Sequence, residues 1–465
     1  MVLTRKQRGT ASCKFGGRAP PPAALWAVWL ATRTALYLVA TAPGADGDVG
    51  IYQRWYACCF SHGRFPLADP MWQYPPGAGV VFWLPGHLPG GYVSSFVFLA
   101  IGCDLATTLM LGARGRRGGS LAGAWYWVCG VPVLGAVTVT RFDTVAVALS
   151  VAAVCLTGRG VVRGALAGAG AAIKVWPVTA LAGMAPGQCR RGLAAAAAVL
   201  AAACVLFGSQ TASFLAHQAA RGVEIESVAA TPFMIGRQAG WHGTVLFRFG
   251  AYQLSGAHVA LAQDASRLGL VLVTAAVLGW RLLIASGHVR WRPEFLADAP
   301  LAATLLFLVV SPVLSPQYLL WVTGLAAACL ATGRTTQRPA ALAVLAAAGL
   351  TPLIFPIGWL SLLSGSDVAT GVLAARNMLL VLAAALSCWR ITFGDRGVPA
   401  ATRDPATPDQ KSAPQTLAPE CLTPDHPARR DFAAAGPRPD RLVRRRPGSG
   451  SRWRRAPGCR GLPPR

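Results

Sequence analysis

The residues best suited to chemistry gather in short polar stretches of an otherwise apolar chain. The richest begins Asp46-Gly47-Asp48, continues Ile51-Tyr52-Gln53-Arg54-Trp55-Tyr56 and closes on Gly63-Arg64-Phe65-Pro66. An acidic start and a Gly stop are helix-capping signals. Asp48, Tyr52, Trp55 and Tyr56, spaced i, i+4, i+7 and i+8, share one face of the short helix so defined. A carboxylate at its start either caps the helix or meets a substrate hydroxyl as a base. The aromatics suit a helix lying along a membrane interface. The same loop then runs Asp69-Pro70-Met71-Trp72-Gln73-Tyr74-Pro75-Pro76-Gly77. Its prolines bar helix. Trp72 and Tyr74 offer flat faces for a ring to stack on, or form an aromatic-belt turn into the next span.

Positioning these residues falls to long apolar elements. Of 465 residues, 54% are hydrophobic and 13% charged, against roughly 25% charged in soluble domains. Apolar blocks such as Ala23–Ala42, Ser94–Leu111, Leu193–Gly208, Leu268–Ala285, Leu301–Val310 and Gly371–Ser387 approach the ~20 residues a helix needs to cross a bilayer. The composition predicts an all-α, polytopic integral membrane protein of about ten to twelve transmembrane helices. The net charge of +25 does not point to nucleic acid. It sits in the first eighteen residues, in turns such as Arg114–Arg117, Arg190-Arg191 and Arg290–Arg292, and after Arg390, as the positive-inside rule expects of cytoplasmic segments. The twelve cysteines have no metal spacing and read as small apolar packing residues.

Tracing spans between basic turns puts both termini inside and a set of singular polar residues outside. The tight turn Thr140-Arg141-Phe142-Asp143 joins two spans on the outer face. The segment around Lys174-Val175-Trp176-Pro177 rises and returns, or is re-entrant within protein. Arg221, Glu224 and Glu226 fall in an outer loop over 209–267, and Ser315-Pro316-Gln317-Tyr318 and Asp367 face the same side. A transporter keeps its functional charges at mid-span, where Asp104 is a rare exception. This distribution favours an enzyme whose amphiphilic substrate approaches along the outer leaflet.

These motifs, in order, resemble the GT-C glycosyltransferases, most closely glycosyltransferase family 87, the polyprenyl-phosphate-mannose-dependent α-mannosyltransferases. Asp48-x-x-x-Tyr52, Gly63-x-Phe65-Pro66 and Trp72–Gly77 resemble the family's first outer loop. Arg141-Phe142-Asp143, Ile173–Pro177, Arg221–Val228 and Ser315–Trp321 are similar to its later motifs. The resemblance covers about residues 20–390. It implies a GT-C-type fold with a short interfacial helix in the first outer loop, and a polyprenyl-phosphate sugar as donor. It also implies that the first-loop Asp acts as base, at Asp48 with Asp46 as the alternative. A glycosyl phosphate carries its own leaving group, so cations beside the phosphate replace a metal or cofactor, and none is expected. Arg141, Lys174 and Arg221 are the candidates. A turn contact between Arg141 and Asp143, outer-end snorkelling of Lys174 and a loop salt bridge of Arg221 with Glu224 or Glu226 would equally explain them. Tyr52, Trp72, Tyr74, Asp143, Glu226, Gln317 and Tyr318 are candidates for sugar or acceptor contacts. Gln317 and Tyr318 also fit a turn leading into a helix, and Glu226 a pair with Arg221.

The expected organisation is a basic cytoplasmic arm (1–20), a transmembrane catalytic domain (21–390) with outer loops at 43–78 and 209–267, and a disordered basic tail (391–465). The expected function is inverting transfer of a hexosyl, mannosyl before others, from the lipid donor to a glycolipid or cell-envelope glycan. It would take place in the cell membrane, at its extracytoplasmic face. An arabinofuranosyl donor is the next reading, and a transporter or flippase for lipid-linked sugars is the rival from another class.

Overall fold

The structure is a computed structural model that describes residues 22–44, 47–156 and 158–394. The basic arm, Asp46 and the tail beyond Gly394 lie outside the described residues. The first half comprises α1 (Pro22–Ala40), α2 (Gly47–Cys58), α3 (Ala78–Trp83), α4 (Tyr92–Gly118), α5 (Ala122–Leu134), α6 (Val137–Thr140), α7 (Asp143–Cys155) and α8 (Gly160–Ile173). A 3₁₀ turn at Trp176–Leu181 leads to α9 (Pro186–Ala219) and α10 (Thr231–Gly236). An antiparallel hairpin follows, β1 (Thr244–Arg248) and β2 (Ala251–Ser255). The chain then forms α11 (Val259–Ala285), α12 (Phe295–Val310), α13 (Tyr318–Leu330), α14 (Arg338–Ile354), α15 (Trp359–Leu363) and α16 (Asp367–Phe393).

The all-α, polytopic expectation holds. Five helices (α1, α4, α9 to Gly208, α11 and α16) are long and apolar enough to cross a membrane, and six more apolar helices are 10–17 residues long. Two details add to the sequence reading. The excursion expected over 209–267 begins where α9 breaks at Gly208 (φ 32°, ψ −105°), and the chain is helical again to Ala219 before α11 starts at Val259. It also contains the hairpin, whose two-residue turn Phe249-Gly250 has both residues at positive φ (54° and 70°). Such turns usually carry Asn-Gly or Asp-Gly, so Phe-Gly gave the sequence no turn signal.

Two devices hold the bundle together. Small residues let α8 and α9 touch along their backbones: Gly160, Gly164 and Gly168 face Gln188, Gly192 and Ala196, and a Cβ on Gly164 would collide with the Gly192 carbonyl. This is the small-residue packing that substitutes for hydrophobic driving force in lipid. On the other side, Arg33 of α1 and Asp104 of α4 form a buried ion pair at 2.8 Å. Trp29 Nε1 (2.6 Å) also donates to Asp104, and Arg33 reaches the Val128 carbonyl of α5 (2.7 Å). With its partners supplied, this intramembrane charge is structural.

Basic turns and polar motifs sort to opposite ends. Arg114, Arg117 and Arg334 meet around a cavity of about 300 Å³ with Glu294, at the C-terminal ends of α4 and α13. Arg141, Lys174 and Gln317 lie at the other end. Because α8 delivers Lys174 there, its contact with α9 matters for the site. Gly164→Leu should force the two helices apart and cost about 1–3 kcal/mol or more, read as a lowered thermal midpoint of the detergent-solubilised protein. Gly187→Leu, where a Cβ meets nothing within 4 Å, should leave it unchanged.

Candidate active site

The site is built where the short helices stop. α6 ends at Thr140 and α7 starts at Asp143, leaving Arg141 in extended backbone between them. α8 ends at Ile173 and places Lys174 beside that turn, while Pro316 and Gln317 close the approach to α13. Lys174 Nζ donates to Asp143 Oδ1 at 2.6 Å, and Trp321 Nε1 of α13 donates to the same oxygen at 2.6 Å. The ammonium also lies 4.8 Å from the Phe142 ring centroid, 4.7 Å from Tyr318 and 5.0 Å from Trp321. An aromatic box with one carboxylate is a good host for a cation out of water.

Above this floor, loop 43–78 folds on an aromatic core. Tyr52 stacks on Phe82 (centroids 4.3 Å), Trp55 meets Trp72 edge-on (5.5 Å) and Tyr74 meets Phe142 edge-on (4.8 Å). Asp69 ties the loop by accepting from Trp55 Nε1 (2.7 Å) and the Met71 amide (2.8 Å). Asp48, in the first turn of α2, forms an ion pair with Arg141. The third cation, Arg221, pairs with Glu224, and Glu226 pairs with Arg376 of α16 (3.5 Å). Arg376 and Asn377 also hold the Glu226 carbonyl at 2.8 and 3.2 Å. Burial works against the Arg141 charge, but Asp48, Tyr52 and Tyr74 outweigh it and raise the guanidinium's pKa. Burial and Asp48 push the Tyr74 phenol up to about 12, so it remains a donor.

Part of this set lines one cavity of about 250 Å³. Of the residues singled out from sequence, Asp48, Tyr52, Tyr74, Arg141, Lys174, Arg221, Glu226, Gln317 and Tyr318 are on its wall. Asp46 lies outside the described residues. Trp72 and Asp143 are not on the wall. Trp72 is fully buried among Trp55, Phe60, Phe65 and Phe82, so no face of it is free for a sugar. Asp143 is buried beneath the floor and acts on Lys174 and Trp321. The aromatic face of α2 likewise turns into protein rather than along an interface, with Tyr52 and Trp55 almost wholly buried. Arg141 reaches Asp48, not Asp143, and Arg221 takes Glu224, not Glu226.

Several wall residues are not among the candidates for substrate contact. Glu224 is singled out from sequence only as a partner for Arg221, and Gln73 belongs to a motif already quoted. Phe247, Phe249, Tyr252, Phe355 and Trp359 form an aromatic wall contributed by the hairpin and the α14–α15 segment, for which the sequence had no motif. Arg376 and Asn377 did have a signal: polar groups inside an apolar span are functional or paired by default. Among the described residues no group of three His, Cys, Asp or Glu could hold a metal ion.

No curated protein matches the chain. Among solved structures it is similar to the crystal structure of ArnT from Cupriavidus metallidurans bound to undecaprenyl phosphate. The identity is 15% and the TM-score 0.41, over 79% of this chain and 77% of that one. The model of glycosyltransferase family 87 matches residues 72–312, more than half of the sequence. The matched span carries Tyr74, Arg141, Lys174, Arg221 and Glu226 of the cavity wall, so the family match and the geometry bear on the same place. The chain belongs to glycosyltransferase family 87 and is a multi-pass membrane glycosyltransferase.

Proposed function

We propose that the chain transfers a mannosyl residue from a polyprenyl-phosphate donor to a hydroxyl of a glycolipid or cell-envelope glycan, with inversion, at the extracytoplasmic face. The observation that carries this reading is the meeting of Asp48 with Arg141, Lys174 and Arg221 around one cavity. The acceptor oxygen attacks the anomeric carbon, the bond from that carbon to the phosphate oxygen breaks, and polyprenyl phosphate departs. Asp48 takes the acceptor's proton, and the three cations face the negative charge that grows on the phosphate. Basic turns gathered at the opposite end of the bundle support the outward orientation of the cavity.

The mechanism predicts the phenotype of the base variant. Asp48→Asn removes the proton acceptor at nearly constant shape, and transfer should fall about 10²- to 10⁴-fold while donor binding persists. The measurement uses radiolabelled polyprenyl-phosphate-mannose, the purified protein and a lipid acceptor extract. Retention of transfer by Asp48→Asn would take the base role away from this residue. Transfer should also survive EDTA, since guanidinium and ammonium groups supply the positive charge.

The charge of the cavity depends on Glu226. Burial pushes its carboxyl up from 4.5 to about 7, against the pull of Arg376. Between those values the folded protein holds a proton that the unfolded chain releases. The stability from this group is therefore present below about 4.5 and lost as pH rises to about 7. The thermal midpoint of the solubilised protein should fall across that window, and Glu226→Gln should flatten the fall. An identical slope in the two proteins counts against a raised Glu226.

A further inference from the structure

We infer that the side-chain carbonyl oxygen of Gln73 accepts a hydrogen bond from a hydroxyl of the donor sugar and so selects which sugar the cavity takes. This rests on the sugar-transfer reading above. The orientation of the amide is fixed by its neighbours. Its nitrogen donates to the Pro70 carbonyl at 3.0 Å and to the Phe249 carbonyl, in the hairpin turn, at 2.6 Å. Carbonyl oxygens only accept, so the atom between them must be Nε2. Oε1 is therefore on the other branch of the amide. It is buried and has no partner within the protein, on a side chain that is 3% exposed and lines the cavity.

A buried acceptor left unpaired is costly, and one carried by a side chain that lines a cavity can be satisfied by a donor from the ligand. The ligand chemistry follows. An amide oxygen accepts a hydrogen bond from a hydroxyl, whereas an ionised phosphodiester has no O–H to donate, so Gln73 reads the sugar and not the phosphate. Gln317 also carries a buried Oε1 without a partner, but no hydrogen bond orients its amide, and the assignment is made for Gln73 alone.

The backbone around Gln73 ties it to the phosphate-binding side. Gln218 Nε2 donates to the Gln73 carbonyl at 2.7 Å, and His217 Nδ1 to the Trp72 carbonyl at 2.9 Å. Both are at the end of α9, which leads within three residues to Arg221. The donor sugar is bonded directly to its phosphate, so a residue fixed in the same frame as Arg221 is placed to meet that ring.

A clamp between loop 43–78 and the hairpin would also explain the two donated bonds, so the test must separate clamping from reading. It uses full-length protein and polyprenyl-phosphate sugars, mannosyl and arabinofuranosyl, with single-deoxy analogues of whichever sugar the wild type transfers. The wild type should lose about tenfold or more in kcat/KM on one deoxy analogue. Gln73→Met should be slower on the parent sugar and treat parent and that analogue alike, within about twofold. Gln73→Glu keeps an oxygen acceptor but not the clamp, and should retain the discrimination at lower overall activity. Equal losses by Gln73→Met on every sugar would mean a clamp only and overturn the inference. Failure of the wild type to transfer from any donor would overturn the transfer reading itself.

Discussion

The site depends on helices that are too short for the membrane. α5, α7, α8 and α13 have 13 or 14 residues, and α12 and α14 have 16 and 17. At 1.5 Å per residue they reach about 20–25 Å, against a hydrocarbon core of about 30 Å. Irregular backbone at that depth is tolerated only where protein surrounds it or it lines a cavity. Here the ends of α6, α8 and α14 and the start of α13 bring Arg141, Lys174, Phe355 and Gln317 to one recess. The longer helices α9 and α11, mostly unburied in the protein, stand at its periphery. A shortfall in length thus becomes a depression, and the residues that end the short helices become its floor.

Charge in such a recess must be balanced, because removing ions from water is expensive. The structure balances it pair by pair: Asp48 with Arg141, Asp143 with Lys174, Glu224 with Arg221 and Glu226 with Arg376. The pairs are not equivalent. Lys174 and Asp143 are locked by Trp321 and by three aromatic rings, and Arg376 and Glu226 by Asn377 and the Glu226 backbone. Asp48 and Arg141 are more open, with side chains 27% and 20% exposed. The pair assigned to proton transfer is the one that a substrate can reach with least rearrangement.

How much of this was legible follows from what kind of force placed each residue. Spans were legible because lipid demands long apolar runs, and the ends of the bundle because basic turns have a preferred side. Asp48, Arg141, Lys174, Arg221 and Gln317 stood out because polar residues are few in so apolar a chain and these fall within motifs kept in order. Trp72 shows the limit: its position next to Gln73 and Tyr74 gave no hint that one ring would fill a core while its neighbours faced a cavity. The backbone here is a turn, with the Trp72 amide donating to the Asp69 carbonyl, and Trp72 faces inward because Trp55 of α2 and Phe82 of α3 receive it. The aromatic wall was illegible for a similar reason, since Phe249 reaches the cavity only through a turn whose sequence does not announce it.

Two different physics meet at the cavity. Below it, α8 and α9 pack through glycine because lipid gives no hydrophobic reward for bringing helices together. Above it, loop 43–78 packs as a water-soluble domain would, through Tyr52, Trp55, Phe60, Trp72, Phe82 and Phe142. The segment after α9 packs with the hairpin and α16 through Val223, Ile225, Leu254 and Leu373. At the joint, a charged group can be backed by apolar rings and still open onto a cavity. Asp48 at the start of α2 and Arg141 at the end of α6 occupy that joint from its two sides, and their ion pair ties the roof to the floor.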